Sequence, residues 1–582
     1  MTWRHLKKPT LKIWLFYSIL TLVVMLPLLR RGYILTMDMV FTPHIAQPHI
    51  VNNNYIFFWV LHVLNVVIPS MVIQKLLLLG IMFWSGLGMH RLAEFIAGTP
   101  TKLPKAKKPK FEVVRAPVKQ KAYLPPVVGQ SAGNYFAGIL YVVNPYTYER
   151  WLAGHYLLLA GYALLPWLLR ALFGYFNRPK AHLGAKLALY FAFMGLLSIH
   201  MLAISIVVAV SALVVYLVYA PVKWVYLKKL IGTGVLAAAI FAAAAMYWLY
   251  GVLRGDSPLQ QAVATFNQGH LEAFTTAAQP HAGLLFNVLG MYGFWAERYH
   301  RFVLPNTNLF VIIPFLAVLA VLVVAGIPKQ LKKDRPQAIV LLVLALVGFM
   351  VASGIHAPIW GGVNDWVLLH VPLMRGFREP QKFSVLLVVA YCLFASASVR
   401  HFASRAQQNQ SGSWYSYVPT ALLVLPLALT PLMPFGFAGQ LKPVQYPPSW
   451  YAFNTQIEQE SGDFKVLFLP WHEYTSFDFN GRIIANPAPT FFSKTVLSGD
   501  SAELGSVGRE KPNGTSDFIE QEILTKPEDP GMGPKLTAIG VKYIVLANAP
   551  DADKYGFLTD QPALQQVSKS HSLIVYLNTD YK

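Results

Sequence analysis

A single cysteine, Cys392, occurs in 582 residues, which excludes an intramolecular disulfide and any cysteine-based zinc site. Charge is scarce too. Asp, Glu, Lys and Arg make up 13% of the chain, against roughly 25% in soluble domains, so one large water-soluble enzyme is a poor reading. Acids are scarcest: residues 1–439 hold 10 Asp and Glu against 36 Lys and Arg. A Walker A sequence is missing, which disfavours an ATP-driven pump, and His-Glu-x-x-His does not occur. No repeat of fixed period runs along the chain.

What is present is apolar: 55% of residues are hydrophobic and the mean hydropathy is +0.44. The apolar residues come in runs of about 20 separated by short basic loops, as a helix crossing ~30 Å of hydrocarbon requires. Eleven spans are expected, near 11–29, 72–97, 131–145, 152–174, 183–199, 202–220, 230–250, 305–326, 337–353, 383–399 and 415–437. The third is short, and 183–220 is long for one helix and tight for two. The run at 56–69 fits an interfacial or re-entrant segment. Arg30-Arg31-Gly32-Tyr33 follows the first run where a signal peptide would have small residues, so that run reads as a retained helix.

The net charge of +21 divides unevenly, since residues 440–582 hold 12 Lys and Arg against 17 Asp and Glu. The basic charge therefore belongs to the membrane part and reports topology, and no nucleic-acid partner is expected. With eleven spans the N-terminus lies in the cytoplasm. The inner segments then hold 24 Lys and Arg and the outer loops before residue 440 hold nine, the positive-inside pattern. Lys102–Lys121 is the densest inner stretch. Seven of the ten acids before residue 440 fall outside, so the chemistry is expected on the outer face of the plasma membrane.

The fold class expected is mainly α: a polytopic bundle over 1–439 with an extracytoplasmic α/β domain over 440–582. In the latter, 466–469, 543–546 and 573–577 read as strands and 517–524 as a helix. Asn513-Gly514-Thr515 fits the N-glycosylation pattern.

Three outer segments carry candidate chemistry. In the first loop, Asp38 reads either as a general base or as an interfacial carboxylate facing water. Before the tenth span, Arg375, Arg378 and Lys382 run against the positive-inside trend. They read either as phosphate ligands or as snorkelling groups, with Glu379 paired to a neighbouring Arg. The loop 251–304 carries Asp256, His270, Glu272, His281, Glu297, Arg298, His300 and Arg301 with Trp295, a mixture that suits sugars. No histidine spacing there marks a metal site, and no cofactor is expected. His200 reads as a loop histidine.

Asn144-Pro145-Tyr146-Thr147-Tyr148-Glu149-Arg150 runs into Gly154-His155-Tyr156 and then Gly161-Tyr162-Ala163-Leu164-Leu165-Pro166-Trp167. With Arg378-Glu379-Pro380-Gln381-Lys382 and Asp38, this resembles the GT-C superfamily of polytopic glycosyltransferases, nearest the bacterial arabinofuranosyltransferase-type and YfhO-like membrane proteins. The resemblance covers about 1–400, and the late Gly540-Val541-Lys542-Tyr543 strand fits as well. It implies an inverting transfer from a polyprenyl-phosphate-linked sugar to a cell-envelope glycan or glycolipid. Asp38 would be the catalytic base. Arg375, Arg378, Lys382, Glu379 and His44 would form the substrate and phosphate site, with Asp256, Glu272, Glu297 and His281 as secondary candidates. Many members show paired acids in the first loop, whereas Met37-Asp38-Met39 has one. A lipid or glycolipid transporter and a non-catalytic glycan-binding scaffold are the other readings.

Overall fold

The computed structural model describes residues 10–98, 131–255, 257–372, 374–408, 417–504, 507–509 and 513–582. Lys102–Lys121 and Asp256 lie outside the described residues. Apolar runs become helices here because a chain in hydrocarbon must satisfy its backbone polar groups within the segment. Among the described residues, nine helices are long and apolar enough to cross a membrane: Leu11–Leu29, Ser70–Gly98, Tyr156–Asn177, Ile199–Tyr219, Lys223–Arg254, Leu309–Lys333, Arg335–Ala352, Pro380–Ala406 and Val418–Phe437.

All eleven expected runs are helical, but two fall short of that length. At 131–145 the described helix is Ala132–Val142, about 16 Å long at 1.5 Å per residue. Asn144 then caps a separate helix, Pro145–Leu152, its side chain accepting from the Thr147 N–H at 3.1 Å. The 183–220 stretch is two helices, the first being Ala181–Leu197 with 17 residues. Ser198 divides them by accepting from the Met201 N–H at 3.3 Å. The run at 56–69 contains the helix Tyr55–Asn65, with Trp59, Val60 and Val63 exposed.

Pro380–Ala406 is the axis of the bundle, with Val385, Leu386, Val388, Val389, Ala390 and Cys392 fully buried. A Cβ at Gly326 would collide with the carbonyl of Phe394. Glycine there lets Leu309–Lys333 meet the axis backbone to backbone, a common device where two membrane helices pack closely.

Residues 440–582 form a five-stranded sheet in the spatial order Leu564–Lys569, Leu573–Asn578, Val541–Ala547, Lys465–Leu469, Thr495–Leu497. The last three run parallel and the first three antiparallel. The three strands expected from sequence are the central three. The expected helix is a turn, Gly514–Phe518, continued by the π-helix Ile519–Leu524. Asn513 caps it and donates to Asp500 at 2.8 Å, so its amide is part of the fold.

The sheet region and the bundle are stitched through the first loop. Tyr33–Ile34 pairs antiparallel with Pro443–Val444. The Met37 N–H donates to the Ile483 carbonyl at 3.2 Å, and the Ala485 N–H donates to the Met37 carbonyl at 2.9 Å.

A hairpin, Ser501–Leu504 with Val507–Arg509, adds a second attachment. Its Leu504 and Val507 share an apolar cluster with Met37, Ala153, Phe274, Phe294 and Trp295. Near its turn it is held by His472, with Nδ1 2.8 Å from Glu503 and Nε2 2.7 Å from Asp551. Partial burial lowers the His472 pKa, but the two carboxylates outweigh it and raise the group above its ordinary value. This clamp contributes fully below the unfolded histidine's pKa near ~6.5 and is lost as pH rises through the raised value. Hydrogen exchange of Ser501–Arg509, corrected for intrinsic rates, should therefore lose protection as pH increases beyond about 6.5. His472→Gln should abolish that dependence. An unchanged dependence in the variant would assign it to another group.

Candidate active site

Asp38 sits at the tip of a tight turn. Thr36 and Met39 exchange backbone hydrogen bonds at 3.2 and 2.7 Å, leaving Met37 and Asp38 between them. Met37 takes the left-handed region, φ 29°, which costs a side-chain-bearing residue of order 1–3 kcal/mol. The strand Ile483–Ala485 holds it there, together with a bond from Thr36 Oγ1 to the Leu152 carbonyl at 2.5 Å. The turn thus pushes Asp38 outward: Met37 and Met39 are buried, whereas the Asp38 side chain is 44% exposed.

Its partners come from two distant segments. Asp38 Oδ1 accepts from the Tyr474 hydroxyl at 3.0 Å, and Oδ2 lies 3.1 Å from His155 Nε2. Its recessed position pushes the Asp38 pKa up, but the His155 and Tyr474 hydrogen bonds outweigh this and hold it below the ordinary carboxylate value. The same pairing raises the Tyr474 phenol, behind the larger effect of its own burial.

His155 is placed by the way the helix Pro145–Leu152 ends. Gly154, at φ 75°, lets the Gly154 N–H bond the Trp151 carbonyl at 3.1 Å and the His155 N–H bond the Arg150 carbonyl at 3.0 Å. This is a Schellman ending, which brings the third-last helical residue and the second residue beyond the cap side by side. Those residues are Arg150 and His155, and Arg150 Nη1 lies 3.3 Å from His155 Nδ1. A side chain at Gly154 would strike the Asp38 turn, since its Cβ would fall 2.5 Å from the Thr36 carbonyl oxygen.

Behind this pair is a buried ionic cluster. Arg150 Nη1 donates to Glu379 Oε2 at 2.9 Å, with both side chains nearly inaccessible. Lys382 Nζ lies 3.1 Å from Glu379 Oε1 and 3.4 Å from His200 Nε2. Burial pushes the Glu379 pKa up, but Lys382 and Arg150 prevail and hold it well below the ordinary range. Arg150 also lies over the Phe294 ring at 4.5 Å, and Arg378 over Phe274 at 4.5 Å. Asp38, His155, Arg150, Glu379, Lys382 and His200 thus form one continuous polar line.

Of the residues marked in the sequence, Asp38, Arg378, Glu379 and Lys382 meet here. Glu379 does pair with an arginine, but with Arg150 rather than a neighbour in its own segment. Lys382 is more tightly committed than a free phosphate ligand would be. Arg375 and His44 are exposed and take no part in the line. Glu272 pairs with His356 at 2.9 Å. Glu297 accepts from Asn287 at 2.9 Å and Asn306 at 3.3 Å, and faces Glu149, whose carboxyl is raised by burial and by Glu297. His281 is exposed and stands apart. His200 is not in a loop: it belongs to the first turn of Ile199–Tyr219 and faces Lys382. Sequence reasoning did not assign roles to Arg150, His155 or Tyr474. The first two lay inside the Asn144–His155 motif, whereas nothing local marks Tyr474. Among the described residues, no three His, Cys, Asp or Glu side chains are grouped to hold a metal ion.

No family model matches the chain and no curated protein matches it. Solved structures do. The chain is similar to the arabinofuranosyltransferase AftD from Mycobacteria, with a TM-score of 0.60 at 13% identity, covering 98% of this chain and 40% of that one. A mutant form of the same protein gives a TM-score of 0.61 and covers 41% of its length. The chain thus spans about two fifths of that protein. An oligosaccharyltransferase from Archaeoglobus fulgidus aligns over 92% of this chain and 69% of its own, at 10% identity and a TM-score of 0.45, too loose a likeness to argue from. The nine apolar helices among the described residues, the α/β module and the AftD likeness agree on the fold: the chain folds like part of that polytopic membrane protein.

Proposed function

We propose that the protein is a multi-pass plasma-membrane glycosyltransferase that moves a sugar from a polyprenyl-phosphate carrier to a cell-envelope glycan or glycolipid on the outer face. Residues 1–439 would form the membrane unit, with the N-terminus in the cytoplasm, and 440–582 the extracytoplasmic one. The observation that carries the reading is the accessible Asp38 carboxylate, held below the ordinary carboxylate value, with the cations Arg150, Arg378 and Lys382 in the cluster behind it. Transfer needs both a base for the acceptor hydroxyl and positive charge for the departing phosphate.

In the proposed step the acceptor oxygen attacks the anomeric carbon and its proton passes to Asp38. The bond from sugar to phosphate oxygen breaks, and the lipid phosphate keeps the electron pair. Arg378 and Lys382 stabilise that charge, Lys382 while remaining braced by Glu379. Glu379 is buried in its ion pairs, leaving Asp38 as the accessible carboxylate of the cluster, which favours single displacement with inversion over a covalent glycosyl intermediate.

Two measurements test the reading. Purified protein in lipid nanodiscs, given labelled polyprenyl-phosphate sugars and envelope glycan acceptors, should form product with an inverted anomeric centre. Movement of lipid-linked sugar across vesicles without transfer would instead support a transporter. For orientation, Ser568→Cys in a Cys392→Ala background should react with a membrane-impermeant maleimide in intact cells, because Ser568 is exposed on the sheet. Reaction only after permeabilisation would reverse the proposed topology.

A further inference from the structure

We propose that His155 is a positioning residue: Arg150 fixes its neutral imidazole as the Nε2–H tautomer, and that N–H aims the Asp38 carboxylate at the acceptor. The inference rests on the glycosyl-transfer reading for its purpose, but its geometry stands independently. A guanidinium carries only donors, so His155 Nδ1, 3.3 Å from Arg150 Nη1, must accept there and carry no proton. The ring hydrogen is then on Nε2, 3.1 Å from Asp38 Oδ2. Arg150 is not free to turn away. Its side chain is 1% exposed, bonded to Glu379 and held between the Phe294 and Tyr146 rings at 4.5 and 5.3 Å.

An imidazolium would set a second donor against Arg150, so the arrangement selects the neutral ring. In a serine-protease triad an aspartate orients a histidine that acts as base; here the histidine orients the aspartate. The consequence for proton flow is definite. Nε2 already carries a hydrogen, so the proton that Asp38 takes from the acceptor cannot pass to His155 and must leave to water. The 44% exposure of Asp38 provides that route. The titratable and charged groups around the pair are Tyr474 and Tyr156 beside Asp38, Glu473 and Arg378 beside Tyr474, and Arg150, Glu379, Lys382 and His200 beside His155.

The test has a spectroscopic arm and a kinetic arm. In 15N-histidine-labelled protein, the signal lost in His155→Gln should report a neutral ring protonated at Nε2. A proton at Nδ1, or at both nitrogens, overturns the proposal whether or not the protein transfers sugar. In the transfer assay, His155→Phe should lower kcat about tenfold to a hundredfold, the worth of a hydrogen bond to a charged group. The donor KM should hold, and the acidic limb of the pH profile should move to higher pH. His155→Gln can accept from Arg150 and donate to Asp38 through one amide, so it should retain most of the turnover and leave the limb in place. Equal losses in both variants with an unmoved limb would reduce His155 to a packing residue. If the Phe variant does not fold, the Gln variant and the spectrum still decide the matter.

Discussion

Asp38→Asn should reduce sugar transfer by ~10²–10⁴-fold, the usual cost of losing a general base, while binding of the lipid-linked donor survives. Asparagine keeps the size of the side chain, and with its oxygen accepting from His155 and its NH2 donating to the Tyr474 hydroxyl it keeps both contacts, so the turn at 36–39 has no reason to rearrange. What it loses is the ability to take a proton. An interfacial carboxylate with only a solvation role would behave differently, with activity simply following the amount of folded protein. The measurement is transfer from a polyprenyl-phosphate sugar, normalised to folded protein, alongside donor affinity. Turnover at the wild-type level would remove Asp38 from the mechanism. Glu272 would then be the next candidate, because it is half exposed, whereas Glu297 is held by Asn287 and Asn306.

Glu379→Gln should destabilise the fold more than any other substitution in the polar line. Glu379 is the carboxylate to which both Arg150 and Lys382 are bonded, and all three are buried. Removing one partner of a buried ion pair typically costs about 3–5 kcal/mol, because it strands a charge away from water. Here two cations are stranded. Adding Lys382→Met to Glu379→Gln should recover part of the loss by removing one of them. Denaturant titration of the purified protein in micelles reads both effects. A Glu379→Gln variant within about 0.5 kcal/mol of wild type, the range of ordinary surface changes, would mean that water reaches the cluster.

The two predictions draw on different kinds of sequence signal. Asp38 was legible because carboxylates are rare in the first 439 residues and because the GT-C resemblance marked its loop. The segment from Asn144 to His155 was legible as a motif, and the structure explains its residues individually. Asn144 and Pro145 start a short helix, Gly154 ends it, and the ending sets Arg150 against His155. The same grammar ended the third expected span early, since its helix stops at Val142 and Asn144-Pro145 opens a new one. Hydropathy counts apolar residues and is blind to a cap. His200 was misread for a related reason: Ser198 makes the break, so His200 falls just inside the next helix.

By itself, the sequence determined that the chain is a membrane bundle with an α/β module after residue 440, where the three central strands run, and on which loop an acid stands. Each of these depends on a requirement met within one segment: an apolar run long enough to close its own backbone hydrogen bonds in hydrocarbon, or a β-rich run bounded by polar residues and proline. Tertiary structure alone decided the rest. Arg150 finds Glu379 across 229 residues, Tyr474 reaches Asp38 across 436, and the hairpin at 501–509 packs beside the first loop. A side chain carries no local mark of a partner so far along the chain. Whether a carboxylate becomes a buried counter-ion like Glu379 or an accessible group like Asp38 depends on what the folded chain brings within about 3 Å of it.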